Sequence, residues 1–376
     1  MVSKPQLVTF RQPLTLQSKA VLPEFTLAYE TYGSLSPARD NVILILHALS
    51  GDSHVASHNA DDHTGWWEEA VGSKRIFDTD RYFVVCANVL GGCQGSTGPG
   101  SMNPLTGRRY GLDFPIVTVA DMVESQRVLM DFLGIDKILA VVGGSMGGMQ
   151  ALQWAVSHPD RVRNALILAS TARVSPQTIA LDEVARQAIY ADPNWRKGNY
   201  YDGEPPNKGL AVARMIGHIT YLSDASMHDK FGRRLQERPQ YGYDFETDFA
   251  VESYLRYRGN AFTNRFDANA FLYITKAIDY FDMSAGLPSL ADAFEHARAR
   301  FLIVSFSSDW LFPPSQSREL VRALLKRGVD ATYMEIQSDY GHDAFLLEVD
   351  LLKGLTRDFL ESPASKSPQA LTNNVR

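Results

Sequence analysis

The stretch Val141-Val142-Gly143-Gly144-Ser145-Met146-Gly147-Gly148-Met149-Gln150 leaves the backbone few paths. The run Ile138 to Val142 has the length and β-branched content of a buried strand, and Met149 to Ser157 has the composition of a helix. Ser145 therefore falls on a strand-to-helix turn, which exposes its oxygen and holds its backbone under strain. Gly143 and Gly147, two residues before and two after the serine, are needed because strand and helix nearly touch there and a Cβ would clash. The N–H of Met146 then stands free at a helix N-terminus, where it can stabilise a developing oxyanion.

The neighbouring segments have the pattern such a turn requires. Val42 to Leu46 is a continuous apolar run, as in a strand covered on both faces, and it leads into His47-Ala48-Leu49-Ser50-Gly51. In α/β-hydrolases the loop after this strand supplies the second oxyanion donor, so the N–H of Leu49 is the candidate beside Met146. Tyr82 to Ala87 reads as another buried strand. The small residues from Asn88 to Pro99 permit close backbone approach but lack a phosphate-loop signature, and Cys93 reads as packing. Val119 to Leu133 sets Met122, Val123, Leu129, Met130 and Leu133 on one helical face, with Gly134 as the stop. Ala165 to Ala169 is the next strand. Leu7 to Phe10, Leu14 to Leu16 and Phe25 to Thr31 alternate apolar and polar residues, as antiparallel strands at one sheet edge do.

Strands alternating with helices at this spacing predict an α/β protein with a mostly parallel central sheet and helices on both faces. From Ser175 to about Leu287 the pattern is amphipathic and helical, rich in aromatics, as in an inserted cap. The expected organisation is a core from 1 to 172, a helical cap from 173 to 290, the rest of the core from 291 to 362, and a polar tail from 363 to 376. The core resumes with strands at Phe301 to Ser305 and Thr332 to Ile336, and Ala344 to Leu360 reads as one final amphipathic helix.

A serine needs a general base and a group to orient that base. Asp309 follows the Phe301 strand, and His342 follows the Thr332 strand. Both therefore lie past the carboxyl ends of parallel strands, on the edge where Ser145 sits and where open α/β sheets place ligands. The order Ser, Asp, His is that of the α/β-hydrolase fold.

The formal charge of −6 argues against a nucleic-acid partner, and no stretch approaches the roughly 18 apolar residues of a membrane span. Two cysteines, Cys86 and Cys93, are too few for a secreted disulfide framework, which points to the cytoplasm. His47 reads as a strand-end structural residue. His54, His58 and His63 fall in a polar loop without zinc-type spacing, so no metal is expected. His158, His228 and His296 read as helix-end or surface residues.

Several blocks in order resemble the homoserine O-acetyltransferases of methionine biosynthesis. They include Leu49-Ser50-Gly51-Asp52-Ser53-His54, Gly65-Trp66-Trp67, Asn88 to Cys93 and Gly143 to Gln150. In the cap they include Ala213-Arg214-Met215, Lys230-Phe231-Gly232-Arg233, Val251 to Leu255 and Arg265 to Asn269. The resemblance implies Ser145 as nucleophile, His342 as base and Asp309 as its orienter. It also implies that Arg214 and Asp343 bind the amino-acid substrate, whose carboxylate suits a guanidinium and whose ammonium suits a carboxylate. The implied reaction passes an acetyl group from acetyl-CoA, as co-substrate with no other cofactor, through Ser145 to L-homoserine, and the implied assembly is a homodimer. Succinyl-using relatives carry an arginine two residues after the catalytic aspartate. Leu311 stands there instead, and a leucine cannot pair with a succinyl carboxylate, which favours acetyl. The alternatives are succinyl transfer, serine as acceptor, a capped serine esterase, or a non-catalytic binding protein on the same fold.

Overall fold

A computed structural model of the chain describes residues 4–362, so the polar tail from 363 to 376 lies outside the described residues. Eight strands build one sheet: β1 (Gln6–Phe10), β2 (Phe25–Tyr32), β3 (Val42–Leu46), β4 (Phe83–Ala87), β5 (Ile138–Gly144), β6 (Val162–Leu168), β7 (Arg300–Phe306) and β8 (Ala331–Ile336). Their order across the sheet is β1-β2-β4-β3-β5-β6-β7-β8. β2 runs antiparallel to both β1 and β4, and every other neighbouring pair is parallel.

The continuous apolar run of β3 has the predicted cause. All five residues are buried, because alternate side chains enter two different cores. Leu44 and Leu46 join Val141, Met149 and Trp154 on one face, while Ile43 and Ile45 join Val142, Trp67 and Phe345 on the other. Burying each such side chain is worth about 1.5–3 kcal/mol. Helix α1 (Val119–Phe132) and helix α2 (Met146–Ser157) cover the first face. Thr118 and Asp121 cap α1 reciprocally, and Gly134, at φ +67, ends the segment as expected.

Between β6 and β7 the chain forms α3 (Pro176–Ala191), α4 (Asn207–Tyr221), α5 (Asp224–Phe231), α6 (Ala250–Thr263) and α7 (Ala268–Asp279). This helical segment enters and leaves through a narrow neck. Val174 N–H donates to Phe281 O at 3.1 Å and Met283 N–H to Ala172 O at 2.9 Å, so Arg173 and Asp282 form an antiparallel bridge. β6 and β7 pair directly beside it, as though nothing separated them in sequence.

Three local expectations are corrected. Leu14–Thr15 does not join the sheet edge; it pairs with Val21–Leu22 in a separate hairpin, closed by Lys19 at φ +69 and too short to extend the ladder. The final helix is broken: α8 (Pro314–Lys326) fills the β7–β8 crossover, then α9 (Ala344–Leu347) and α10 (Val349–Glu361) meet at Glu348, whose ψ of +49 is not helical. That bend lets Phe345 reach the nucleophile turn while Leu352 and Phe359 of α10 seal the second face of the sheet. Lastly, α2 starts at Met146, directly after the serine, with β5 running up to Gly144.

Candidate active site

The turn between β5 and α2 is built as the glycines require. Ser145 has φ +59, a region that L-residues rarely occupy. A Cβ at Gly143 would overlap the Gly147 carbonyl, one at Gly147 the Leu46 carbonyl, and one at Gly144 the Phe345 ring. The carbonyl of Ser145 accepts the Gly148 and Met149 N–H groups and the Ser170 hydroxyl, the last at 2.7 Å. Met146 opens the helix, so its N–H has no acceptor within α2.

Asp309 and His342 meet as predicted. Asp309 Oδ1 accepts the N–H groups of Leu311 (3.0 Å) and Phe312 (2.9 Å), and its Oδ2 accepts from His342 Nδ1 at 2.8 Å. Both side chains are buried. With Nδ1–H committed to the carboxylate, Nε2 is left as the lone-pair nitrogen, and no hydrogen bond occupies it. Burial pulls the imidazole pKa down, but the Asp309 charge and hydrogen bond more than offset this, and the net shift is upward. The His342 ring lies 5.3 Å from Phe312 and 6.1 Å from Tyr221, and both of these line the pocket onto which Ser145 opens. That pocket also takes in Leu49, Met149 and Leu311, with about 50 Å³ of free space, room for a short acyl group and not for a nucleotide.

The loop carrying Leu49 is pinned from both sides. Val89 N–H donates to His47 Nε2 at 3.0 Å and His47 Nδ1 donates to Ala48 O at 2.7 Å, which fixes a neutral imidazole, as its burial-lowered pKa requires. A buried relay, Trp154 Nε1 to Gln126, Gln126 to Gln150 and Gln150 to His47 O, ties the same residue to α1 and α2. Farther along, His54, His58 and His63 depart from the loop picture. The ring nitrogens of His54 (2.9 Å) and His58 (2.7 Å) and the Tyr32 hydroxyl (2.9 Å) all reach Glu30 Oε2.

Ligand atoms of Glu30, His54 and His58, and of His54, Asp62 and His63, lie close enough together to hold an ion. Hydrogen bonding accounts for the first group, because His54 Nε2 also faces the His63 carbonyl at 2.8 Å. Two acceptors at the two ring nitrogens favour the protonated form of His54. Burial opposes that charge, but the His63 carbonyl and Glu30 raise its pKa overall.

Arg214, on α4, donates to Ser50 Oγ at 3.2 Å and lies over the Phe262 (4.6 Å) and Tyr221 (5.5 Å) rings. No carboxylate among the described residues forms an ion pair with it. Asp343 follows His342 directly; burial raises its carboxyl pKa, while His342, Arg214 and Lys230 pull against that rise. Cys93 packs beside Arg265 O, its thiol pushed up to about 12 by burial. Ser170, Tyr221 and Asp182 also belong to this neighbourhood. Ser170 and Asp182 carried no sequence signal, because each lies in a segment whose pattern reads as ordinary strand end or helix.

A family model for the alpha/beta hydrolase fold matches residues 41–349. A homoserine O-acetyltransferase of Methanohalobium evestigatum is 55% identical over 350 residues, 93% of this chain and 71% of that protein. Among solved structures, a homoserine O-acetyltransferase from Bacillus anthracis matches with a TM-score of 0.87 and 30% identity, covering 97% of this chain and all of that one. The structure of esterase E22 matches with a TM-score of 0.87 and 29% identity, covering 95% of this chain and all of that one.

Proposed function

Because this chain belongs to the homoserine O-acetyltransferase family of the α/β-hydrolase fold, we propose that it carries acetyl from acetyl-CoA, through Ser145, to the side-chain hydroxyl of L-homoserine, the committed step toward methionine. His342 Nε2 takes the Ser145 proton as Oγ attacks the thioester carbonyl. The N–H groups of Met146 and Leu49 receive the oxyanion, each worth about 3 kcal/mol in the transition state. The tetrahedral intermediate collapses, the C–S bond breaks, and coenzyme A leaves with the proton from His342. Homoserine then gives its hydroxyl proton to His342 and takes the acetyl group, regenerating Ser145.

In this reading Arg214 holds the homoserine carboxylate and Asp343 its ammonium. Arg214 already has a hydroxyl and two aromatic faces around it and, among the described residues, no carboxylate in an ion pair with it. Leu311 makes the pocket wall apolar where a succinyl chain would need a cation, and no Lys, Arg or His lines that pocket. No cofactor besides the co-substrate is required. The likeness at 55% identity over 93% of the chain carries this conclusion. Incubation with acetyl-CoA and homoserine should yield coenzyme A and O-acetylhomoserine by mass spectrometry; failure to form that ester, or preference for succinyl-CoA, would overturn it.

The match to esterase E22 favours a second reading, in which water takes the acyl group. Acetyl release that is as fast without homoserine as with it would establish that reading instead. The homodimer is supported by exposed apolar side chains on the insertion: Val212 (44% exposed) and Ile219 (47%), seven residues apart on α4, and Tyr257 (68%) on α6. Free Cys86 and Cys93 suit a reducing cytoplasm, and among the described residues no helix is long and apolar enough to cross a membrane.

A further inference from the structure

The loops that follow β7 and β8 both bind one joint of the helical insertion, the buried pair Leu222 and Ser223 between α4 and α5. The carbonyl of Leu222, at the end of α4 where intrahelical donors run out, accepts the indole N–H of Trp310 at 3.0 Å, one residue after Asp309. Ser223 caps α5 by accepting the Ser226 N–H at 2.9 Å, and its hydroxyl donates to the Asp339 carbonyl, three residues before His342.

The histidine loop rests directly on this joint. Gly341 has φ +71, and a Cβ on it would stand 2.5 Å from the Ser223 nitrogen and 2.8 Å from the Tyr221 carbonyl. Its N–H donates to Ser308 Oγ at 2.9 Å, which ties the loop to the residue before Asp309 as well. His342 follows at once, in the short turn Gly341–Asp343. Asp309 holds only the Nδ1 side of the ring, and the rings of Phe312, Phe345 and Tyr221 around it make no hydrogen bond to it. A single hydrogen bond acts as a pivot, so the distance from Nε2 to Ser145 follows from where the backbone of this loop comes to rest.

We propose that Trp310 and Ser223 are positioning residues for His342: through them the joint between α4 and α5 fixes where Nε2 stands against the Ser145 hydroxyl. β7 and β8 bring the two loops to the site, and the joint sets their final rest. Neither side chain lines the pocket onto which Ser145 opens, so their effect on acylation passes through the loops. A misplacement of about 1 Å at a reacting centre costs about 10²-fold in rate, which gives two hydrogen bonds remote from the nucleophile a large lever. The inference rests on the reading of Ser145 as an acyl-carrying nucleophile with His342 as its base, but not on homoserine as the acceptor.

The test follows acylation of Ser145 by p-nitrophenyl acetate with no acceptor present. Trp310→Phe keeps a ring and loses the N–H, Ser223→Ala loses the bond to Asp339, and thermal melts confirm folding. Each substitution should lower the acylation rate about tenfold. Both are then repeated in His342→Ala, where the residual rate comes from the oxyanion donors and binding alone and should change by less than about twofold. An unaltered rate in the folded single variants, or the same loss with and without His342, overturns the proposal; should one variant fail to fold, the cycle with the other decides. Absence of any acylation in the parent protein would refute the acyl-serine reading, and the proposal with it. Acylation that does not lead to transfer onto homoserine would leave the result at Trp310 and Ser223 standing and count against the acceptor alone.

Discussion

The hydroxyl of Ser170, two residues beyond β6, donates a 2.7 Å hydrogen bond to the carbonyl of Ser145. The nucleophile's strained turn, at φ +59, is thus held by the strand next door as well as by its own helix. Strain of this kind costs about 1–3 kcal/mol, and a buried hydrogen bond contributes about 1 kcal/mol against it. Ser170→Ala should lower Tm by a few degrees and reduce the acylation rate several-fold, with the homoserine KM little changed. Differential scanning calorimetry beside steady-state kinetics will show whether the two effects occur together.

Gly147 allows no such latitude. A Cβ there overlaps the Leu46 carbonyl at the end of β3, and neither backbone can yield without moving the oxyanion loop. Gly147→Ala should destabilise the fold by about 3 kcal/mol or prevent soluble expression. An unaltered urea midpoint would show that the close approach of β3 and α2 is not a constraint.

The shift at His342 sets the pH response. Its folded pKa is raised above 6.5, mainly by Asp309 working against burial, and the reactive form is the deprotonated one. Acylation should therefore climb with pH through a midpoint above 6.5. The stabilising contribution of the protonated pair has the opposite sense: full below 6.5 and lost as pH rises through the folded value. Asp309→Asn should move the kinetic limb to lower pH and cut kcat by about 10⁴-fold. Rate–pH profiles of the two proteins provide the comparison.

Arg214→Lys tests the carboxylate clamp. A lysine keeps the charge but loses the planar fork, so the homoserine KM should rise about 10–100-fold, while the burst of coenzyme A release, which precedes homoserine binding, changes far less. Equal losses in both steps would place Arg214 outside the acceptor site.

His54 anchors the loop that follows Leu49 through its charged contact with Glu30. Its pKa is raised, so this stabilisation is present below the ordinary histidine value and declines as pH rises through the folded one. Glu30→Gln should flatten that part of the stability–pH curve and lower the urea midpoint most at the acid end. A slope that survives the substitution would assign it to another group.

The positions of Ser145, Asp309 and His342 were legible because each follows an apolar run that can only be a buried strand, and parallel strands deliver their ends to one edge. The contents of the pocket were less so. Asp182 lies on an amphipathic helix whose polar residues look solvated until α7 brings Asp279 against them. Likewise His54 and His58 show no ligand spacing in sequence, since the acid that gathers them, Glu30, comes from β2. The break at Glu348 was hidden because apolar spacing continues across it; the bend follows from where Phe345 must go.

The neck at Ala172–Val174 and Phe281–Met283 places the two ends of the helical insertion side by side, while β6 and β7 pair as direct neighbours. Such a junction works like a socket. A different set of helices could be fitted into it over evolutionary time without disturbing the strand ends that carry Ser145, Asp309 and His342.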